Sequence, residues 1–291
     1  MKLFIQILLA GSAMILFFAC SELNNNIETA QKISAHGKGI LDPSSTEFHG
    51  QLIKSANWDL SVCWKCHASD YSGGATGASC LNCHTETDGP EACNTCHGDP
   101  NNPDKIAPPK DLDGNTSTTF RGVGAHDSHV YSNQLTENLK CSNCHKFPTS
   151  FNDPAHIDGD GRAEITFGRI AVTGQGVNSA YDQGSGSCSN IYCHGNFVFY
   201  KDSSVAGAKY IFEDSVIVGN NVSVNWTAAG QSQAECGSCH GLPPTGHIQF
   251  SIGQCGLCHE GIFDANGNIV DSLKYKHING EINVIILGQG G

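Results

Sequence analysis

The sequence predicts a mostly irregular, loop-rich fold with a few short β-hairpins. Short helices are expected only around the cysteine motifs. The 34 glycines are spread along 291 residues and interrupt any long helix or strand. Cysteine pairs recur seven times, and each second cysteine is followed at once by a histidine, which requires a fixed turn at every repeat. Segments 164–173 and 197–226 are rich in β-branched residues but broken by Gly and Asn, which predicts short strands.

Each motif contains two cysteines and the histidine that follows them. Six motifs have the form C-x-x-C-H, and one has four residues between its cysteines. The paired cysteines are Cys63 and Cys66, Cys80 and Cys83, Cys93 and Cys96, Cys141 and Cys144, Cys188 and Cys193, Cys236 and Cys239, and Cys255 and Cys258. The adjacent histidines are His67, His84, His97, His145, His194, His240 and His259. Two thiols at this spacing add across the vinyl groups of one haem while the histidine binds its iron, so the sequence predicts seven covalently attached c-type haems.

Zinc knuckles and disulfides are the alternatives, because paired cysteines serve zinc equally well. With 14 histidines in 291 residues, composition does not account for a histidine after all seven pairs. Zinc needs four ligands per site and does not require a histidine at that position. Of the 15 cysteines, only Cys20 lies outside the motifs, so the thioether bonds leave none for disulfide bridges.

The histidines outside the motifs equal the motifs in number. They are His36, His49, His126, His129, His156, His247 and His277. The two methionines, Met1 and Met14, lie in an N-terminal apolar segment, and its removal excludes His/Met ligation. We therefore expect two imidazoles on most or all of the irons, a ligation that suits electron transfer rather than catalysis.

Position along the chain gives a partial assignment of these distal histidines. We expect His36 and His49 to serve the first three haems. We expect His247 and His277 to serve the last two haems. The sequence does not assign the individual pairs.

The N-terminus predicts export and a lipid anchor. Residues 1–19 combine Lys2, an apolar run and a small residue, Ala19, as a signal peptide does. Cys20 resembles the lipidated cysteine of bacterial lipoproteins, and the alternative is a secreted protein with an incidental cysteine. Ser21 at the next position resembles lipoproteins sent on to the outer membrane. We therefore expect an exported outer-membrane lipoprotein that faces the periplasm or the cell surface.

Size and charge limit the other possibilities. Roughly 40 residues per haem are too few to bury an ordinary apolar core around each cofactor, so the haems are expected to form much of the core. Acidic residues outnumber basic ones by 28 to 16, for a formal net charge of −12. Nucleic acid is therefore not an expected partner, whereas a basic redox protein or a cationic metal species would be attracted. Solubility explains the same charge equally well.

Motif spacing divides the chain after the signal peptide into four parts. They are an N-terminal segment with the anchor and two distal histidines (20–57), a three-haem module (58–100), a linker rich in Pro, Asn and Asp (101–119) and a four-haem module (120–291). The last part contains a weak internal repeat. In each copy a histidine precedes a C-x-x-C-H motif, and another follows it in the pattern H-I-(Asp/Asn)-G.

Several motifs together resemble a known family. GAHDSHV before CSNCH, HIDG after it, CSNIYCHG, Trp226 before CGSCHGLPPTGH, and a closing HING are similar to the multihaem c-type cytochromes of metal-reducing bacteria that combine CxxxxCH and CxxCH sites. WDLSVCWKCHASDYSGG, SCLNCH and GPEACNTCHG resemble the opening module of the same family, so the resemblance covers most of residues 36–284. It implies electron transfer at the outer membrane or outside the cell. Its implied partners are periplasmic or outer-membrane cytochromes and extracellular acceptors.

Two other functions stay open beside the electron carrier. One is a subunit that polymerises into a haem-lined filament, because assembly interfaces leave no readable sequence signature. The other is a multihaem oxidoreductase with one open haem. The enzymes of this kind are larger chains in which one haem is open or Lys-ligated, and this sequence has no C-x-x-C-K motif. We therefore expect no catalytic residues and an electron-transfer protein rather than an enzyme.

Overall fold

Residues 35–99, 102, 104–106, 108–154, 156–174 and 178–285 are described in a computed structural model of the protein. The predicted signal peptide (1–19), Cys20 and the segment up to residue 34 lie outside the described residues. The chain divides into two compact units, of which the first ends at Leu60 and the second begins at Ser61. The three-haem module, the linker and the four-haem module stay sequence-based predictions.

The described residues of the first unit contain one α-helix, α1 (His49–Ser55). Successive turns lead into it, one of which is fixed by the Asp42 carboxylate, which accepts from the backbone and hydroxyl of Ser44. The helix ends because Asn57 and Trp58 adopt positive φ angles of 53° and 63°, which a continuing right-handed helix does not allow.

Helical turns lie at six of the seven cysteine motifs, as predicted. Two are single α-helical turns, α2 (Trp64–His67) and α3 (Cys93–Cys96). The others are 3-10 turns at Cys80–Asn82, Cys141–Asn143, Tyr192–His194 and Ile252–Leu257. In these turns the histidine is held by its own backbone: the N–H of His145 donates to the carbonyl of Cys141 at 2.9 Å. The motif at 236–240 forms turns without a helix.

Helical turns also occur away from the motifs, which corrects the expectation that they form around motifs alone. These are α1, α4 (His126–Val130) and 3-10 turns at Gly74–Thr76, Gly89–Glu91, Ala206–Ile211 and Asp271–Lys276. A further 3-10 turn, Leu60–Cys63, ends at the first cysteine of the first motif. The histidines outside the motifs supply part of the reason, because they too need a fixed backbone. Helix α4 contains His126 and His129, and the turn Asp271–Lys276 ends immediately before His277.

The strands of the described residues are short and antiparallel, and they lie in the second unit. They are β1 (Ala180–Asp182), β2 (Ser187–Ser189), β3 (Val198–Tyr200), β4 (Val216–Val218) and β5 (Val224–Asn225). One sheet has the order β1-β2-β5, and β3 pairs with β4 in the other. The central strand β2 carries Cys188, which is paired with Tyr181 on one side and Val224 on the other. The strands expected within 197–226 are thus confirmed in part.

The segment 164–173 forms no strand, and the prediction of one is wrong. Its backbone is used by the neighbouring cysteine motif instead. The N–H of Thr166 donates to Cys144 at 2.8 Å, and the N–H of Gly168 donates to Asn143 at 2.8 Å. Ala171 then donates back to Gly168 at 3.1 Å and closes a turn. The β-branched residues therefore cover a motif turn rather than pair with another strand.

The apolar core of the described residues is small. Its centre is formed by Ile211, Phe212 and Ile217, and five partly buried side chains pack on it: Phe197, Phe199, Tyr210, Ile282 and Val284. The described residues form loops, short helical turns and two small sheets, so the predicted loop-rich fold class is confirmed. Across the described part of the chain, every helix is too short or too polar to cross a bilayer.

Candidate haem-binding sites and their histidine pairs

Five motif histidines each face one histidine from outside the motifs, at nearly the same separation. The distances between ring centres are 5.8 Å for His97 and His156, 6.2 Å for His126 and His145, 6.1 Å for His129 and His194, 6.2 Å for His240 and His277, and 6.3 Å for His247 and His259. No histidine belongs to two of these pairs. The fold thus brings together one predicted proximal and one predicted distal ligand at each of five motifs.

This separation fits one iron held between two imidazoles. Two metal–nitrogen bonds of about 2 Å, with about 1 Å from each nitrogen to its ring centre, place the ring centres about 6 Å apart. A tetrahedral zinc site instead needs four converging ligands. In the described residues, no three cysteine or histidine ligand atoms lie within 4.8 Å of one another, and the one group that meets this distance is Asp158, Asp160 and Glu164. The donor set therefore fits haem better than zinc.

Backbone carbonyls orient most of these rings. The Nδ1 atom lies 2.5 to 3.0 Å from a carbonyl oxygen in His49, His67, His126, His129, His145, His156, His240, His247, His259 and His277. An Nδ1–H that donates to a carbonyl leaves Nε2 unprotonated, which is the nitrogen that then binds a metal. The loops therefore fix both the tautomer and the direction of the ligand atom.

Burial keeps several of the paired imidazoles neutral. It lowers the pKa of His126 and of His194 to about 4 in each case. Burial also lowers the pKa of His97, His259 and His277. A neutral imidazole is the form that binds metal, so these side chains are in the ligating state at neutral pH.

The internal repeat has a structural counterpart at two motifs. After each H-I-(Asp/Asn)-G, the chain runs alongside the cysteine motif and its carbonyl accepts from the motif histidine. The acceptors are Glu164 for His145 at 3.0 Å and Asn283 for His259 at 2.5 Å. Two residues later a backbone N–H donates to the second cysteine, from Thr166 to Cys144 and from Ile285 to Cys258, at 2.8 Å in both copies.

The two copies also share one pattern of histidine pairing. The histidine that precedes the motif faces the histidine of that same motif: His126 faces His145, and His247 faces His259. The histidine of H-I-(Asp/Asn)-G faces the preceding motif: His156 faces His97, and His277 faces His240. His129 is the additional ligand candidate, and it faces His194 of the C-x4-C-H motif.

Helix α4 joins two of the sites. His126 and His129 are three residues apart and lie on one helix face, and they face histidines of two different motifs. The Trp226 ring packs on both, 4.7 Å from the centre of His126 and 5.7 Å from that of His129. Its Nε1 donates to the carbonyl of Arg121 at 2.8 Å. In the sequence, Trp226 stands out through the family resemblance alone, because no spacing rule links it to α4.

Gly124 gives Trp226 the space for this contact. It has a φ of 43°, and a Cβ built there lies 1.9 Å from Trp226 Nε1. A side chain at this position would displace the tryptophan from the two histidines. The glycine before the A-H-D-S-H segment therefore has a packing role as well as a conformational one.

The five sites with histidine pairs form a series in which the sites of consecutive motifs are neighbours in space. The histidines of the third and fourth motifs are neighbours. The pKa of His97 is lowered first by burial, then by the charge of His156, and then by the charge of His145 in the fourth motif. Phe197 lies 6.2 Å from the rings of both Tyr192, at the fifth motif, and His240, at the sixth.

The last two sites are joined in the same way. The ring centre of Phe263 is 6.1 Å from His259 of the seventh motif and 6.1 Å from His277, which faces the sixth. Each site in the series therefore has a neighbour within side-chain reach. That arrangement is required for transfer between adjacent haems.

The first two motifs carry His67 and His84. His67 lies in the second unit, where its Nδ1 is 2.9 Å from the carbonyl of Ala78. His84 lines a small cavity beside Cys83, Gly89 and Asn94. His36 and His49 lie in the first unit, so their assignment to the N-terminal haems stays a sequence-based prediction.

Covalent haem motifs with facing histidines define a multihaem c-type cytochrome, which is a class of electron-transfer protein. In agreement, a family model described as the Geobacter CxxxxCH...CXXCH motif matches residues 187–240. The matched segment contains the fifth and sixth motifs and supports this class for the chain. Comparisons with curated proteins and with solved structures find no match.

Proposed function

We propose that this protein is a heptahaem c-type cytochrome that carries electrons along a chain of bis-histidine haems. The five facing histidine pairs carry the proposal, because at each of those sites the chain brings together two imidazoles that would hold one haem iron between them. When bound there, haem supplies one-electron chemistry without loss of either imidazole. The first two haems rest on His67, His84, His36 and His49 from the sequence.

The polypeptide performs three tasks in this function. Motif turns hold the cysteines and the proximal histidine together at each site. Carbonyls fix the ring orientation, so that little movement accompanies a change of charge at the iron. Helix α4 and the aromatic side chains Phe197 and Phe263 keep neighbouring sites in contact, so that an electron passes from site to site.

We place this electron carrier at the outer membrane or the cell surface, with periplasmic or outer-membrane cytochromes and extracellular acceptors as its partners. The predicted signal peptide, Cys20 and the family resemblance support this location. The net charge of −12 favours partners with a basic docking surface. A haem-lined filament built from copies of this chain is the alternative assembly. An oxidoreductase with one open haem is the alternative activity.

Intact mass of the exported protein tests the haem count. We expect an excess over the processed polypeptide that equals seven haems. Cys193→Ala leaves the C-x4-C-H motif with one thiol, and it should reduce the covalent haem load by one without preventing export. Cys188 provides the matched variant, with the same expected loss. Six haems in the wild type, with both thiols of this motif free, would contradict the count.

Membrane fractionation tests the anchor. We expect the wild type in the membrane fraction and Cys20→Ala in the soluble fraction, because the acyl chains of a lipoprotein together anchor stably, whereas one chain binds marginally. Ser21→Ala is the control and should leave the protein in the membrane fraction. A wild type that is wholly soluble, with an amino terminus downstream of Cys20, would reject the anchor.

A further inference from the structure

His194 differs from the ligand histidines whose Nδ1 lies beside a backbone carbonyl, because its own Nδ1 is buried without a partner. In the described residues, His194 Nδ1 is the buried side-chain nitrogen or oxygen that has no hydrogen-bond partner. By contrast, ten other ligand histidines place Nδ1 within 3.0 Å of a carbonyl oxygen. Buried polar groups are rarely left unpaired, so an exception at a redox site calls for a functional explanation.

The missing acceptor changes the donor strength of the imidazole. An Nδ1–H that donates to a carbonyl makes the ring a stronger base, and a stronger ligand stabilises the ferric iron, which has the higher charge. Hydrogen bonding around the ligands is one of the ways in which a protein sets haem potential. Without an acceptor, His194 donates less and favours the ferrous state. The potential of its site is therefore more positive.

The surroundings of His194 act in the same direction. The preceding residues, Ile191 and Tyr192, are only 5% and 8% exposed, and Val224, which pairs with Cys188 in the sheet, is 9% exposed. A dry environment disfavours the state of higher charge, which is again the ferric one. Nδ1 itself is buried, so bulk solvent is not in contact with it.

We propose that His194 gives the haem site at Cys188 and Cys193 the most positive reduction potential of the seven. This inference rests on the proposed function, in which His129 is the second ligand of that site. The fifth site then holds an electron at equilibrium, in the interior of the series between the fourth and sixth sites. One electron taken from a reduced neighbour converts its ferric iron to ferrous, and the neighbour becomes ferric.

A redox titration of the complete seven-haem protein, followed by electron paramagnetic resonance, tests the inference. The ring planes of His129 and His194 cross at 66° and those of His240 and His277 at 75°, whereas those of His126 and His145 cross at 24°. Two of the sites therefore have steeply crossed rings, and the variants below decide between them. Steeply crossed and nearly parallel imidazoles give different low-spin ferric signals. As the potential is lowered, a crossed-ring signal should disappear first. If a nearly parallel signal disappears first, the inference is overturned.

Two variants of helix α4 assign that signal. His129→Ala should convert one haem to high spin and remove the most positive low-spin component from the titration. His126→Ala is the matched control on the same turn, and it should convert one haem to high spin while the most positive low-spin component stays. If His129→Ala opens one haem but that component persists, the inference fails and the ligand assignment stands. If neither variant produces a high-spin haem, the ligand pairs are wrong and both proposals fall.

A general loss of structure has a different signature from either result. It would convert more than one haem to high spin in the variant, as counted by absorbance and resonance. His129→Met then serves as the second variant, because a thioether keeps the iron six-coordinate. It should raise only the most positive potential further. A rise in a different component would overturn the inference.

Discussion

Replacement of His277 by alanine is expected to convert one haem of seven, the one at Cys236 and Cys239, from low spin to high spin. His277 faces His240 at 6.2 Å, and its Nδ1 is held 2.7 Å from the carbonyl of Leu135. Alanine offers no ligand atom, so the iron at this site keeps only His240. The covalent thioether bonds remain, and the haem content should therefore not change.

Carbon monoxide binding to the reduced protein measures this effect. The variant should bind about one equivalent per chain, whereas the wild type should bind far less, since under the proposed bis-histidine ligation no iron has a vacant position. His277→Met should restore a six-coordinate low-spin site with a more positive potential. Tyr275→Leu is the positional control, because Tyr275 is exposed and lies in the turn that precedes His277. It should leave all haems low spin.

Two outcomes would contradict these expectations. A variant that stays entirely low spin would show that His277 is not a ligand. Strong carbon monoxide binding by the wild type, at a full haem equivalent, would contradict the pure electron carrier. It would favour the oxidoreductase with one open haem.

The residue types of the site could be predicted from the sequence, because covalent attachment needs two cysteines and a histidine at fixed spacing. Their pairing could not be predicted in the same way. His156 is 11 residues from His145 but faces His97, which is 59 residues away. The loop decides this, since the turn that ends at His156 holds its Nδ1 at the carbonyl of Phe151. Such a backbone contact leaves no periodic signal in the sequence.

The fold shows the same limit. Loops, motif helices and short hairpins follow from glycine content and from motif recurrence. The segment 164–173 has the composition of a strand, but a strand also needs a partner. Its backbone groups are used by Cys144 and Asn143 instead, and this competition is a tertiary effect. The repeat gave a hint of it, because Asn283 and Ile285 do the same at the seventh motif.

Gly195→Ala is expected to destabilise the contact between the fifth and sixth motifs. Gly195 directly follows His194, has a φ of 89°, and would place a Cβ 1.9 Å from the backbone carbonyl oxygen of Cys239. That carbonyl also accepts from the N–H of Asn220 at 2.8 Å, so it is held in place. A rigid backbone atom cannot move aside as a flexible side chain does, and the two motif turns must therefore separate.

Gly230→Ala separates the clash from the conformational cost. Gly230 has a similar φ of 79°, but a Cβ there meets nothing within 4 Å. Both variants incur the cost of a left-handed alanine, about 1–2 kcal/mol. Only Gly195→Ala adds the clash, which overpacking data place at about 1–3 kcal/mol more. Denaturant unfolding of the haem-loaded proteins, followed at the haem absorbance, should show this difference in the free energy of unfolding. Equal losses in the two variants would mean that Cys239 does not pack against Gly195.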